Sequence, residues 1–486
     1  NAGAVGSVCR TGVKGGAFTA HPFEGSPNDP FLSDYFDIDY VAHEIGHQFG
    51  AFHTFSYEDE FEGFSSEPGS GSTIMGYAGI VGQDNIQLHS DPYFHYHSLK
   101  NINEYVASRS CYSSEDSTNQ LPLVDAGPDY TLPMGTPYEL EATATDPDGD
   151  SLFYCWEQLD GGAVNATNFG PLNHLGSQSR SLIPSPESNR VIPKMEAVLS
   201  GTLTQETPSL NSSWETVSLV DRTLTWGVTV RDRYPAALGV NGRTASDVKV
   251  LQVTTDAGPF SINTLNEEGI VWEGGSRQTI SWEVAKTDSA PINTKNISVL
   301  LSTNGGTTFD HTLLRATPND GEEIITVPGG ISTDQARIKV VPDNSIYFAI
   351  NTKDIQINYA PFALSFDRYQ QEACENEVVF TFDYATFSDF GETVALRFSD
   401  LPAGLTATFS DATLTQSVSS ETIVLRGFNN FPAQDMTLQL RATGGSRNQL
   451  IDLEISNRGD DFQEIQLIVP ISIETEQSVT VSLTWR

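Results

Sequence analysis

His43-Glu44-Ile45-Gly46-His47-Gln48-Phe49-Gly50-Ala51-Phe52-His53 is the stretch from which the rest of the chain is read. On a helix, residues four apart share a face, so His43 and His47 can present two imidazole nitrogens to one metal ion. Glu44 lies beside the first of them and is placed to accept and return a proton. His53 is a third candidate ligand. A helix continuing past His47 would carry it about 600° round and about 9 Å further on, so the chain must turn first. Gly50 permits the positive φ such a turn needs. Three imidazoles leave one position of a tetrahedral zinc open for water, the arrangement of a catalytic site.

Working outward, a helix is expected from about Tyr35 to Phe49, with Ile38, Val41, Ala42 and Ile45 repeating at three and four residues. A second helix is expected from about Pro92 to Ser108, capped by Ser90 or Asp91. Between them runs the glycine-rich segment EPGSGSTIMGYAG, whose Ser72-Thr73-Ile74-Met75-Gly76-Tyr77 begins soon after His53. A bare HExxH also occurs on helices with two surface histidines. Its extension to Gly50 and His53, followed by this segment, argues for a metal site.

The chain has 486 residues and a formal net charge of −37, from 26 Lys+Arg against 63 Asp+Glu. Such a surface repels phosphate backbones and anionic membranes, so nucleic acid is excluded as a partner. Apolar runs are too short for a membrane span. The four cysteines, Cys9, Cys111, Cys155 and Cys374, form no CxxC pair and suit an oxidising compartment with one or two disulfides. Seven of the nine histidines lie within residues 1–116, the catalytic region. After a linker near residues 113–122 the chain alternates short strands and turns. β-Sandwiches are expected at 117–256, 257–360 and 361–457, with a further β-domain opening at 458–486. Trp156, Trp226 and Trp282 are expected in their cores. Neither end reads as a natural terminus, and no signal-peptide pattern is visible.

HExxHxxGxxH followed by a methionine turn resembles the metzincin clan, and the surrounding sequence resembles bacterial reprolysin-like (adamalysin-related) metallopeptidases. Residues 123–160, VDAGPDYTL through YCWEQLD, resemble a module that trails such domains in secreted Bacteroidetes proteins. The resemblance implies that His43, His47 and His53 bind Zn²⁺ and that Glu44 is the general base. It implies that Met75 forms a floor beneath the metal and that Tyr77 contacts zinc or an oxyanion. It further implies that Gly3–Val8 is an edge strand pairing with extended substrate, and that Cys9 and Cys111 form a disulfide. The fold class is then an α+β metzincin catalytic domain, lacking its N-terminal lobe, followed by Ig-like or fibronectin-like sandwiches.

The expected function is a secreted or cell-surface, monomeric zinc endopeptidase. In it a water held on the zinc and activated by Glu44 attacks a protein substrate, while the β-modules act as spacers or bind a surface or matrix ligand. The alternatives are an adhesin with a degenerate peptidase head and a carbohydrate-binding multi-sandwich protein. Asp146, Asp148 and Asp150 crowd a glycine turn and form a candidate Ca²⁺ site, or simply a solvated hairpin. His95 and His97, with His89, are read as exposed histidines rather than as a second metal site, and Cys155 as a buried free thiol.

Overall fold

The computed structural model describes residues 2–13, 15–19, 34–60, 63–113, 118–233, 241–373, 376–415 and 417–458. Cys374, part of the linker and residues 459–486 lie outside them. The chain forms two compact units. One comprises residues 1–272, 277–327 and 332–358, the other residues 273–276, 328–331 and the chain from Tyr359.

The head opens with a two-stranded antiparallel pair, Ala2–Gly3 against Ala17–Phe18. The edge strand expected to run to Val8 stops at Gly3. Beyond it the Gly6 and Val8 amides donate to the His47 and Gln48 carbonyls at 2.8 and 3.2 Å, capping the C-terminus of the site helix. Amides used in that way cannot extend a ladder.

The site helix is continuous from Asp34 to Gln48, but Asp37–Ala42 is wound as π-helix before the α-helical His43–Gln48. A π turn holds one extra residue, which rotates everything after it by about 100°. Ile38 and Ala42 therefore pack on the small core of Ala51, Ile74 and Met75. Ile45, assigned by periodicity to the same face, is 46% exposed. The rotation turns His43, Gly46 and His47 inward, and all three are buried.

Gly50, at φ +93°, ends the helix, and the Ala51 amide bonds back to the Gly46 carbonyl at 3.0 Å. A Cβ there would stand 2.9 Å from Tyr105, so this position needs glycine for both its φ and its space.

The second helix spans Tyr96–Ala107 and begins four residues later than expected. Residues 91–93 are committed elsewhere. The Asp91 amide donates to the Ser72 carbonyl at 2.7 Å, and the Tyr93 carbonyl accepts from Ile74 at 3.1 Å. His95 takes the cap position instead, its Nδ1 accepting the His97 amide at 3.1 Å. Cys9 and Cys111 form the expected disulfide, which ties the first loop to the end of this helix.

From Leu123 the described chain is dominated by sheet. A four-stranded sheet has the order Tyr130–Pro133, Thr244–Thr254, Arg222–Asp232, Leu152–Gln158. Its first strand is parallel to its neighbour and the other pairings are antiparallel. Further antiparallel strands, among them Arg277–Glu283, Asn296–Ser302 and Thr333–Pro342, complete this unit. Trp156, Trp226 and Trp282 are buried as expected.

The long loops of the first sheet region are part of the head's framework. The Val164 amide donates to the Ser56 carbonyl at 2.6 Å, and Gly69 donates to Val164 at 2.8 Å. Ile86 of the head shares a core with Val164, Phe169 and Trp214. These contacts make the region more than the trailing spacer expected of it.

In the second unit two sheets enclose one core. One is built from Phe362–Phe366, Glu377–Thr386, Val418–Arg426 and Thr406–Phe409. The other includes Val394–Phe398, Gln434–Gly444 and Arg447–Asn457. Phe380, Leu425, Leu440 and Leu453 of the two sheets meet there, each fully buried. No helix among the described residues is long and apolar enough to cross a membrane.

Candidate metal centre

The turn at Gly50 brings His53 back onto the face that carries His43 and His47. Nε2 of His53 lies 3.2 Å from Nε2 of His43 and 3.0 Å from Nε2 of His47. Each ring is held from behind through Nδ1. His43 is anchored on the Ile74 carbonyl at 2.7 Å, His47 on the Ala51 carbonyl at 2.8 Å and His53 on the Glu60 carboxylate at 2.5 Å. An Nδ1 that donates leaves Nε2 with its lone pair, so all three rings present an acceptor nitrogen to the same point.

Burial keeps the imidazoles in the neutral form that binds a metal. It pushes His43 down to about 3, with added repulsion from His47 and His53. It lowers His53 to about 3, with His47 contributing, and lowers His47 as well.

Glu44 stands alongside, and burial raises its carboxyl above the usual range. Its Oε2 is buried and has no hydrogen-bond partner. An unsatisfied buried carboxylate oxygen is costly, and beside three converging lone pairs it calls for a proton-bearing ligand or water. The donor set fits zinc: three neutral imidazole nitrogens within bonding reach of one point. Gly3 borders this oxygen, and a Cβ on it would lie 2.7 Å from Glu44 Oε2.

Met75 is fully buried and packs with Ala51 and Ile74. It fits because Gly46 has no side chain; a Cβ there would meet the Met75 sulfur at 2.5 Å. Tyr77 packs edge-on to His53, with ring centroids 4.5 Å apart. Burial foremost, then Glu60 and Glu44, push its hydroxyl up to about 12, so it remains a proton donor. A cavity of about 180 Å³ opens on His43 and Glu44, walled by Tyr77, Tyr40, Ile80 and Asp39. Asp39 is fixed there by the Ser90 amide and His89, at 2.7 and 2.8 Å.

Three residues that support this cluster do not stand out in the sequence: Gly46, Glu60 and Glu67, while Gly3 is read there only as the start of the edge strand. Glu67 is buried and accepts the Thr54 and Thr73 hydroxyls, each at 2.6 Å, and the Ser72 and Thr73 amides at 3.0 and 3.2 Å. It thereby joins the segment leaving His53 to the Ser72–Thr73 segment that precedes Met75. Gly46 was legible in principle, because a small residue between two ligands signals close approach. Glu60 sits in the acidic run Glu58-Asp59-Glu60, where pattern cannot pick one carboxylate from another.

The remaining candidates lie elsewhere. Asp146, Asp148 and Asp150 do come together. Asp146 Oδ1 accepts the Asp148 and Asp150 amides, Asp148 is bound by Gln120, and Asp150 pairs with Arg233 at 2.7 Å. His95 is fully buried rather than exposed: its Nε2 lies 3.8 Å from the fully buried Glu157 carboxyl, and its Nδ1 caps the second helix. His97 is partly buried, while His89 is exposed as expected. Cys155 is a free, buried cysteine.

Comparison with known proteins places the similarity on this part of the chain. The family model described as Metallo-peptidase family M12B Reprolysin-like matches residues 1–105. No curated protein matches. Among solved structures, a three-Ig segment of titin (domains I67–I69, an E-to-A variant) is 11% identical, with a TM-score of 0.16, covering 70% of this chain and 99% of that one. Trypsin-activated α-2-macroglobulin from Escherichia coli is 12% identical, with a TM-score of 0.18, covering 68% of this chain and 31% of that one. Residues 1–105, which hold the three-histidine cluster, are thus the region similar to reprolysin-like metallopeptidases.

Proposed function

We propose that the chain belongs to a secreted zinc endopeptidase, with His43, His47 and His53 holding the metal and Glu44 moving the proton. The observation that carries this reading is the convergence of three Nε2 atoms beside an unpartnered, buried Glu44 oxygen. Bound there, zinc supplies a Lewis acid that polarises a peptide carbonyl and makes water more acidic.

The chain's own residues do the rest. Glu44, in its poorly solvated position, accepts a proton from water and returns it to the departing amine. Tyr77, kept protonated, donates toward the developing oxyanion. Gly3 leaves room for an extended backbone against Glu44, and the cavity bounded by Tyr40, Ile80 and Asp39 takes the side chain beyond the scissile bond. Met75 fills the floor and keeps the ligand helix at its level. The α+β metzincin architecture of the head, the sandwich modules that follow and an extracellular setting belong to the same proposal. The Cys9–Cys111 disulfide supports that setting.

Casein cleavage by the full chain and by Glu44→Gln tests the reading. We expect cleavage to fall about 1,000-fold or more in the variant, with zinc retained, in line with loss of a general base and its positioning. Zinc-loaded protein that cleaves nothing in either form would favour the binding-module alternative and overturn this one.

A further inference from the structure

We propose that Glu60 is the positioning residue of the third metal ligand. Its carboxylate sets the tautomer and the direction of His53, an inference that rests on the three histidines forming a zinc site. The ligands are not held equivalently. His43 and His47 ride on one helix and are anchored by main-chain carbonyls, of Ile74 and Ala51, which cannot swing away without moving the backbone. His53 lies past the Gly50 turn, outside any helix, and its Nδ1 is held by a side chain, the Glu60 carboxylate at 2.5 Å. The rings of Phe55 and Tyr77, at 4.9 and 4.5 Å, restrict its tilt but not which nitrogen carries the proton. That choice falls to Glu60. A carboxylate facing Nδ1 keeps the proton on that nitrogen, leaves the Nε2 lone pair toward the metal and makes the imidazole a stronger donor than a carbonyl would.

The chain leading to Glu60 is held at Ser56 and Tyr57. Ser56 donates its hydroxyl to the Glu67 carbonyl at 2.7 Å and its amide to the Gly69 carbonyl at 3.1 Å. Its own carbonyl accepts from Val164, and the Tyr57 carbonyl accepts from Asn165 at 3.2 Å. Glu60 points at the back of the ring, away from Nε2, so it orients a ligand and is not one itself.

The experiment uses the full chain as wild type, Glu60→Gln, Glu60→Ala and His47→Ala. Three quantities are read: zinc affinity by competition with a chelating dye, the visible spectrum of the cobalt-substituted protein, and the melting temperature of the metal-free protein. Glu60→Ala should weaken zinc binding about 10–100-fold and shift the cobalt bands, with the metal-free melting temperature unchanged. Glu60→Gln still offers an oxygen to Nδ1, so it should recover most of the spectrum and part of the affinity. Equal zinc affinity and an unchanged cobalt spectrum in Glu60→Ala would overturn the assignment, as would a drop in metal-free stability with no change in affinity. If wild type binds no zinc, or His47→Ala binds it equally well, the zinc site itself is wrong. That result is separable from failure of the Glu60 role, which leaves wild-type binding intact.

Discussion

The head around the three histidines and the two-sheet body beyond Tyr359 are stabilised in opposite ways. The body rests on an apolar core of twenty-one buried side chains and on long ladders, Gln434–Gly444 against Arg447–Asn457 among them. Among the described residues, the apolar core next to the three-histidine cluster has three buried members, Ala51, Ile74 and Met75. Around it Thr54, Ser56, Ser65, Ser66, Glu67, Ser70, Ser72 and Thr73 are buried polar groups. Apolar burial is non-directional and tolerates exchange of like for like. A polar interior works only when its donors meet acceptors, and in return it fixes where those atoms sit. The region that must hold three nitrogens at one point is built in the second way.

Glu67 is where this contrast breaks most visibly. Glu67→Ala leaves two hydroxyls and two amides without their acceptor, at about 1–3 kcal/mol for each group left unpaired. We expect the head to lose upward of about 4 kcal/mol and zinc affinity to collapse with it, as measured by denaturant unfolding and metal titration. Phe380→Ala, in the fully buried centre of the two-sheet body, should cost about 3–5 kcal/mol in the same unfolding assay. Zinc affinity should be unchanged there, because that core contains none of the groups around the histidines. Equal effects of both variants on zinc binding would erase the distinction.

A smaller effect sharpens the comparison on the polar side. Glu157 is fully buried in the strand Leu152–Gln158 and accepts the Tyr96 amide at 2.8 Å, where the first sheet meets the second helix of the head. Burial raises its carboxyl from 4.5 to about 8, against a partial pull from Arg231. A folded-state value above the unfolded one means the native protein binds more protons between about 4.5 and 8. The associated stability is present below 4.5 and lost as pH rises through 8. The metal-free wild type should lose stability across that window, and Glu157→Gln should lose less. A steeper loss in the variant would contradict the assignment.

Much of the site was legible because its geometry is local. His43 and His47 follow from helical spacing, and Gly50 follows from the need to turn before His53. Met75, Tyr77 and the Cys9–Cys111 pairing came from the resemblance to a known family. Reading failed where the geometry departs from regularity or depends on distant contacts. Ile45 was placed inward because a π turn cannot be seen in an apolar period. The second helix was started early because Asp91 and Tyr93 are engaged by the methionine turn, and Gly6 and Val8 were read as strand although they cap a helix. Glu60 and Glu67 are ordinary surface residues by pattern, and folding alone gives them their partners. In the β-regions, strands such as Arg222–Asp232 and Arg277–Glu283 are recognisable by alternation, whereas their neighbours in the sheets are not.

The central claim is that three histidines hold one metal, and calorimetric titration of the metal-free full chain with Zn²⁺ tests it most directly. The account predicts one tight site per chain, with little proton release at neutral pH because burial already keeps His43, His47 and His53 neutral. No heat of binding, or several weak sites filled together, would contradict it.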